Sequence, residues 1–348
     1  MRKSRLDIAA RLMALCKRAD ALLLVLVLVL GGLMVCRYGP VPPAIAVHEG
    51  EAAPRLTESG DAPSEQPDEA LPAAGKPVRF LMYNVQNYFV AGEDSRSRYK
   101  SQLKSKRSRD AVADVIASAQ PEIVGLVEIG GEKALADLQE RLEERGLKYP
   151  HAMVLKREGE DRALALLSAH PIVSNNSRAN YNLHGQVRRK MLRGILDVTV
   201  KLDDGRYFRI VGAHLKSRVS DDAAAAEYLR TREARTLAFY LHEQMRDNPH
   251  IPIVVYGDWN DGPEDNSLSL LRKGVTDKSA LTRINPEDSQ GQTWTLYYKS
   301  GREYYVFDQI FVNSVLSKRC GRKARSGIVD IKDAAQASDH RAVWYELR

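Results

Sequence analysis

Val254-Val255-Tyr256-Gly257-Asp258-Trp259-Asn260-Asp261 passes from an apolar run to a polar turn, and we take it as the organising centre of the chain. Residues 251–255 form a short, largely β-branched run, which is typical of a strand buried on both faces. Gly257 tolerates backbone angles that a side chain forbids, so we expect a turn there that presents Asp258 and Asn260 at the carboxyl end of the strand. Sites of α/β proteins are usually built at that edge. The same residues are also ordinary turn formers, so this stretch alone leaves its role open.

The first 77 residues differ from the rest of the chain. Residues 21–36 are an apolar run, and basic side chains precede it: Arg2, Lys3, Arg5, Arg11, Lys17 and Arg18. This order predicts a signal anchor or signal peptide in residues 1–37, with its basic end in the cytoplasm and the rest exported. A small-residue cleavage site at 44–46 lies far from the run, and the run is short for a membrane helix. We favour a membrane-anchored domain outside the cytoplasm, the alternative being a cleaved, periplasmic or secreted protein.

Residues 38–77 are rich in Pro, Ala and acidic side chains and predict a disordered linker, because such a segment buries too little apolar surface to fold. Residues 78–348 are then the folded domain. Residues 1–77 contain as many acidic as basic side chains, so the net charge of +7 belongs to that domain. A positive excess suits a polyanionic substrate but is also common in other enzymes. Cys320 is the only cysteine of the domain, so no disulfide can form within it.

Strands and helices mix along the domain without a simple alternation. Periodicity predicts strands at 78–83, 123–127, 163–167, 195–200, 207–211, 251–255, 304–312 and 342–345, and helices at 105–119, 132–145 and 222–245. A hairpin is expected across Asp203-Asp204-Gly205. The pattern favours an α/β fold in which two packed mixed sheets are flanked by helices, rather than a doubly wound parallel sheet.

Polar side chains recur just beyond the apolar runs. They are Asn84, Glu128, His214, Asp258 with Asn260, Asp308, and Asp339 with His340. One such residue is usually a solvated turn residue, but their recurrence at strand ends indicates a site. Carboxylates, amides and histidines without a cysteine cluster favour an oxygen-bound cation such as Mg²⁺ or Mn²⁺ over structural zinc.

Seven short segments, in this order, resemble the endonuclease/exonuclease/phosphatase superfamily. They are Tyr-Asn-Val-Gln-Asn at 83–87, Val-Glu-Ile at 127–129, Leu-Ser-Ala-His-Pro-Ile at 167–172, Gly-Ala-His-Leu-Lys-Ser at 212–217, Gly-Asp-Trp-Asn-Asp at 257–261, Phe-Asp-Gln-Ile at 307–310 and Ser-Asp-His at 338–340. That superfamily contains deoxyribonucleases, abasic-site endonucleases, neutral sphingomyelinases and inositol polyphosphate phosphatases. The resemblance extends from about residue 78 to the carboxyl terminus and implies a four-layer α/β sandwich.

The resemblance also implies roles for single residues. Glu128 would be the principal Mg²⁺ ligand, with Asn84 beside it and Asp339 as an additional ligand; Mn²⁺ and Ca²⁺ are alternatives. His340 would be a general base or a phosphate-binding group, held by Asp308. Asp258 and Asn260 would orient the attacking water and hold the phosphate, and His214 would be a second histidine where abasic-site enzymes carry an amide. Two residues depart from the pattern: Trp259 replaces Phe or Leu, and Gln309 replaces His or Tyr.

The substrate is less sharply defined by the sequence. Asn87, Arg193 and Lys216 are the expected substrate contacts, and basic clusters at 100–109, 188–193 and 319–325 suit a nucleic-acid backbone, although each also fits a solvated surface. We therefore expect a monomeric metal-dependent nuclease that acts on DNA or RNA and contacts the membrane through its amino-terminal segment. The alternatives are a phosphatase or phospholipase C-like enzyme and a catalytically silent binding module.

Overall fold

A computed structural model describes residues 75–92, 103–186, 188–321 and 324–348. The predicted anchor, 1–37, and nearly all of the predicted linker, 38–77, lie outside the described residues, so both stay predictions. Within the described ranges, no helix has the length and hydropathy needed to cross a membrane.

The regular elements of the described residues alternate in short blocks along the chain. The strands are β1 (Val78–Tyr88), β2 (Ile123–Ile129), β3 (His151–Leu155), β4 (Ala163–Ser168), β5 (Ile172–Asn175), β6 (Leu196–Lys201), β7 (Tyr207–His214), β8 (Ile253–Asp258), β9 (Leu281–Arg283), β10 (Leu296–Tyr298), β11 (Glu303–Tyr305), β12 (Asp308–Asn313), β13 (Ser326–Ile328) and β14 (Val343–Leu347). The helices are α1 (Lys106–Ala119), α2 (Glu132–Glu143), α3 (Ala223–Asp247), α4 (Ser269–Lys273), α5 (Ser314–Cys320) and α6 (Ala334–Ala337).

Two six-stranded mixed sheets form the centre of the domain. The first has the order β13-β14-β1-β2-β4-β3 and the second the order β5-β6-β7-β8-β12-β9. Each has one parallel pair in its middle, β1 with β2 and β7 with β8, while the other neighbours are antiparallel. The carboxyl ends of each parallel pair therefore lie side by side, which positions the polar residues that follow them.

Alternating side chains explain the four layers. In β8, Val254 and Tyr256 belong to the apolar core between the sheets, whereas Ile253 and Val255 pack with α3 on the outer face. The outer face of the first sheet is covered by α1 and α2 in the same way. Strands buried on both faces are thus almost continuously apolar, as the sequence indicates. The predicted sandwich of two mixed sheets flanked by helices is confirmed.

A tyrosine from the second sheet crosses the gap to the first. The Oη of Tyr256 donates a hydrogen bond to the Ala165 carbonyl in β4, at 3.1 Å. Its ring lies against Gly125 of β2 and Gly212 of β7, where an added Cβ would stand 2.6 Å from ring carbons. The two glycines leave the space that the ring fills, so the side chain of Tyr256 packs against strands of both sheets.

The turn predicted at Gly257 was placed too early. Strand β8 continues through Asp258, and a Cβ on Gly257 would lie 2.1 Å from the Ala213 carbonyl oxygen, so the glycine permits close approach of β7. The left-handed residue is instead Asn260, with φ of 52°. Asp258 still stands at the carboxyl end of its strand.

The remaining predicted strands and the predicted hairpin agree with the structure only in part. The hairpin across 203–205 is confirmed, with Gly205 at φ of 87° between β6 and β7. The strand predicted at 304–312 is wrong as a single element, because β11 and β12 are distinct and β11 pairs only with β10 among the described strands. The sequence also missed the short edge strands β3, β5, β9 and β13, and β10 of the two-stranded sheet.

Candidate active site

The polar residues predicted from strand ends meet where the two sheets adjoin. Asn84 and Glu128 come from β1 and β2 of the first sheet. His214, Asp258 and Asp308 come from β7, β8 and β12 of the second, where Asp258 lies opposite both of the others in register. His340 enters just before β14. All six side chains are buried, which is costly for ionisable groups unless they are paired.

His340 and Asp308 form the tightest pair of the site. The Nδ1 of His340 lies 2.7 Å from Oδ2 of Asp308. The backbone N–H of Asp308 donates to the Thr295 hydroxyl at 3.0 Å, and that of His340 donates to the Ser338 hydroxyl at 3.1 Å. Burial alone would lower the pKa of His340, but the surrounding carboxylates, Asp308 foremost, raise it to about 10. The carboxylates around the ring therefore favour its protonated form.

Asp258 is the centre of the cluster. Its Oδ2 accepts a hydrogen bond from the Asn84 amide at 2.9 Å and lies 3.6 Å from Nε2 of His214 and 3.9 Å from Nε2 of His340. Its Oδ1 accepts the backbone N–H of Asn260 at 2.9 Å. Burial raises the pKa of Asp258, an effect that His340 opposes. A carboxylate of raised pKa is a stronger base than a solvated one.

Irregular backbone directs Glu128 into the site. Glu128 has φ of 66°, and the pairing of β2 with β4 shifts register between Val127 and Ile129. Such a bulge re-aims a side chain at the edge of a sheet. The Oε2 of Glu128 then accepts the backbone N–H of Asn87 at 3.1 Å and lies 3.4 Å from Nε of Arg162. The same Nε donates to Oδ1 of Asn87 at 2.7 Å.

The pKa of His214 is shifted in the direction opposite to that of His340. Its Nε2 stands 3.9 Å from Oε1 of Glu128, but burial and the positive charges of Arg193, Arg162 and His340 lower its pKa well below the usual value. Its Nδ1 is buried and has no hydrogen-bond partner among the described residues. We therefore expect His214 to be neutral at physiological pH.

The donor set fits a divalent cation. Ligand atoms of Glu128, His214 and Asp258 lie within 4.8 Å of one another, as do those of Asp258, Asp308 and His340. Oδ1 of Asp308 is buried without a hydrogen-bond partner among the described residues. Several buried carboxylates need a compensating positive charge, and carboxylate oxygens are the ligands that Mg²⁺ prefers. The structure thus provides residues for a metal without identifying it.

Two further ligands predicted from sequence have different settings. Oδ1 of Asn84 accepts the backbone N–H of Gln86 at 3.0 Å, and a carbonyl oxygen retains a second lone pair for a cation. Asp339 is the most open of the carboxylates: its side chain is 41% exposed and its Oδ1 lies 3.9 Å from Nε2 of His340. Both remain candidate ligands.

The predicted phosphate contacts are less uniform. Arg193 is buried beside His214, and its Nη1 donates to the Leu215 carbonyl at 3.3 Å. Lys216 instead turns into its own loop, where its Nζ donates to the carbonyls of Ser217 and Val219 at 3.1 and 3.3 Å. The amide of Asn260 donates to Leu215 at 3.1 Å, which ties the loop after β8 to the loop after β7.

Of two cations beside the site, sequence reasoning missed Arg162 and named Lys104 only as part of the basic cluster at 100–109. Arg162, at the start of β4, contacts Glu128 and Asn87, and Lys104 is close enough to Glu128 and Asp339 for their charges to act on it. Burial lowers the pKa of Lys104 to about 8, and its Nζ donates to the Gln86 carbonyl at 3.1 Å. Neither residue belongs to a motif quoted above, and their approach depends on tertiary packing.

A buried glutamate holds the loops that carry the basic residues. Glu233 of α3 accepts the backbone N–H of Leu192 and that of Lys216, both at 2.7 Å. Burial raises its pKa, while Arg193 and the two backbone donors oppose the rise. Helix α3 therefore fixes the segments 190–193 and 215–217 against each other.

The fold and the cluster together define a phosphoesterase-type site, and comparison with known proteins gives its family. Residues 83–334 match the model of the Endonuclease/Exonuclease/phosphatase family, and this chain belongs to that family. Its members are generally hydrolytic phosphoesterases that typically depend on a divalent metal. The family predicted from seven short segments is confirmed. No match was found among curated proteins.

Several solved structures share the fold. The human Nocturnin catalytic domain, solved with a bound sulfate anion, is 17% identical with a TM-score of 0.55, covering 78% of this chain and 94% of that one. An endonuclease/exonuclease/phosphatase from Bacteroides vulgatus is 16% identical with a TM-score of 0.56, covering 79% and 99%. The mannosyl-6-phosphatase Bt3783 of Bacteroides thetaiotaomicron is 16% identical with a TM-score of 0.54, covering 78% and 99%. Such identities support the fold alone.

Proposed function

We propose that this protein is a metal-dependent nuclease that hydrolyses phosphodiester bonds of DNA or RNA. This proposal rests on the geometry of the buried cluster. His340 pairs with Asp308 at 2.7 Å and its Nε2 faces Asp258, while Nε2 of His214 lies between Asp258 and Glu128. Hydrolysis of a phosphoester needs charge stabilisation at the phosphoryl oxygens, an oriented water and a protonated leaving oxygen, and this cluster contains groups for each requirement.

The residues divide these tasks by their charge. The imidazolium of His340 binds a phosphoryl oxygen through Nε2 and can supply the proton that the leaving oxygen needs. Asp258, whose pKa burial raises, orients the water and accepts its proton, while Asn260 keeps the carboxylate in place through its backbone N–H. Neutral His214 offers a hydrogen bond from Nε2. Glu128, with Asn84 and Asp339, would hold the cation, which would stabilise negative charge on the phosphate.

Charge around the site favours a polyanion over a small monoester. Arg162, Arg193 and Lys104 surround the cluster, and the net +7 of the chain comes from residues 78–348. Basic side chains along a backbone provide most of the affinity for nucleic acid. A sugar phosphatase is the second candidate, favoured by the fold shared with the mannosyl-6-phosphatase.

A purified domain of residues 75–348 should nick supercoiled plasmid in Mg²⁺ or Mn²⁺ and stop when EDTA is added. The matched control is His340→Ala, which removes the imidazole and keeps the metal ligands. Sugar 6-phosphates, sphingomyelin and single-stranded RNA would be tested in parallel. Release of inorganic phosphate from sugar phosphates, with no cleavage of any nucleic acid, would replace the nuclease with the phosphatase.

Export and membrane anchoring remain proposals from the sequence. Fractionation of cells that express the full chain would locate it, and a form lacking residues 1–37 is the control. Recovery of the full chain from the soluble cytoplasm would refute this part of the proposal.

A further inference from the structure

A cleft with aromatic walls opens beside the catalytic cluster. Its volume is about 720 Å³, and its lining includes Asp339 and His340, Gln86, and Trp294 and Tyr297 next to and on β10. Volumes of 300 to 1,000 Å³ are typical of ligand sites. His340, which we propose to bind a phosphoryl oxygen, thus lines the cleft as well. The aromatic residues of the cleft have no role in the chemistry proposed above.

The aromatic wall is fixed to the catalytic pair by backbone hydrogen bonds. Tyr297 donates its N–H to the Asp339 carbonyl at 3.1 Å, and Arg341 donates its N–H to the Thr295 carbonyl at 2.7 Å. The Thr295 hydroxyl in turn accepts the backbone N–H groups of Phe307 and Asp308, both at 3.0 Å. A ligand that packs on this wall would therefore be held in register with the His340–Asp308 pair.

The rings of the wall form a continuous array. Tyr297 stacks on Tyr304 of β11 with ring centroids 4.8 Å apart, and Trp294 packs on Tyr304 at 4.9 Å. The guanidinium of Arg341 lies 4.2 Å from the centroid of Trp294. Tyr304 is 60% exposed, so the array stands at the surface and is not part of the apolar core. Flat aromatic faces beside a phosphate site suit planar rings.

We propose that this cleft holds an unpaired nucleobase adjacent to the scissile phosphate, stacked on Tyr297, so that the protein prefers single-stranded nucleic acid. The inference rests on the nuclease function proposed above. Bases within a duplex are stacked on each other and reach such a cleft only if the strand opens. Lys104, bonded to the Gln86 carbonyl at the rim, is placed to contact the backbone of the same strand.

The cleft suits a base better than a lipid tail. Its lining includes the charged residues Lys299, Asp330 and Asp333, and an acyl chain would need apolar walls. A sugar ring also stacks on aromatic faces, so a sugar phosphate is the competing occupant that the experiment must distinguish.

The test compares two single strands of the same length, oligothymidine and an abasic backbone, in wild type, Tyr297→Leu and Tyr297→Phe. Leucine keeps apolar bulk against Tyr304 without a flat face, whereas phenylalanine keeps the ring. Base stacking predicts that wild type prefers oligothymidine in kcat/KM by about 5- to 100-fold, that Tyr297→Leu loses most of this preference and that Tyr297→Phe keeps it. Tyr207→Leu is the control, because Tyr207 is 43% exposed at the opposite end of β7 from His214.

The possible outcomes distinguish failure of the stacking site from failure of the proposed nuclease function. Equal cleavage of both strands by wild type, or an unchanged preference in Tyr297→Leu, overturns the stacking site while the nuclease stands. Hydrolysis of sugar phosphates that falls in Tyr297→Leu, with no strand cleaved by wild type, overturns both. Faster cleavage of a duplex than of its separated strands also contradicts the inference.

Discussion

The two histidines of the buried cluster are alike in burial and differ in charge. At one end, His340 is surrounded by Asp308, Asp258 and Asp339, which raise its pKa. At the other, His214 lies among Arg193, Arg162 and His340, and burial with these charges lowers its pKa. Two identical side chains in one site thus acquire different protonation states from their neighbours, which assigns them different tasks.

The largest expected effect lies at the charged end. His340→Ala removes the imidazolium and leaves Asp308 buried without a partner, so kcat should fall by about 10² to 10⁴-fold while the metal requirement is retained. The measurement is steady-state hydrolysis at saturating metal. Circular dichroism of the variant serves as the folding control, and a folded His340→Ala protein with a wild-type kcat would refute the assigned role.

Glu128→Gln should act mainly through the cation. The amide keeps the shape of the side chain but removes a negative charge. The metal concentration for half-maximal activity should therefore rise by at least about 10-fold, because mutating a residue that only supports a metal ligand already lowers metal affinity by about that factor. Titration with Mg²⁺ and Mn²⁺ measures it. Glu346→Gln, a buried acid paired with Arg325 at the far end of β14, is the matched control, and an equal shift in both variants would contradict a ligand role for Glu128.

A smaller effect is expected at the neutral end. His214→Asn keeps a hydrogen-bond donor and needs no proton exchange, so its kcat should stay within about 10-fold of wild type, since one neutral hydrogen bond is worth about 1 kcal/mol. His340→Asn, by contrast, should lose nearly as much as His340→Ala. Equal losses of kcat in His214→Asn and His340→Asn would contradict the different roles assigned to the two histidines.

The smallest effect concerns stability in EDTA. The pKa of His340 lies above the value of about 6.5 expected in the unfolded chain, so its protonated ring stabilises the fold below about pH 6.5, and this contribution is lost as the pH rises towards 10. The advantage in Tm of wild type over His340→Gln, about a few degrees at pH 6, should therefore shrink by pH 9.5. An advantage that grows with pH would show that the ring is neutral.

Much of this organisation could be predicted from local sequence. Apolar runs located the central strands, and Asn84, Glu128 and Asp258 were found because polar residues directly follow those runs. The family pattern then ordered them along the chain. The structural setting of Asp308 and His340 agrees with their predicted pairing, since the two lie 2.7 Å apart.

The remaining features depend on contacts between distant segments. Arg162 approaches Glu128 only through tertiary packing, and nothing in its own sequence neighbourhood indicates it. Lys104 was part of the basic cluster predicted at 100–109, but its place beside Glu128 also depends on tertiary packing. Gly257 was assigned to a turn because glycine is common there, yet its role is the close approach of Ala213. Strand β11 was merged into β12, because its aromatic residues continue the apolar pattern of the strand that follows, and its partner β10 was not predicted.

Tyr256 links the distance between the two sheets to the geometry of the buried cluster. Glu128 belongs to one sheet and Asp258 to the other, so their separation is set by whatever spaces the layers. A methyl group added at Gly125 of the first sheet would meet the ring at 2.6 Å, and relieving that clash would move the sheets by an amount on the order of an ångström. A misplacement of that size costs roughly 10²-fold in rate. We then expect the activity to fall in a chain that still folds, because the ring of Tyr256 sets the separation of Glu128 and Asp258.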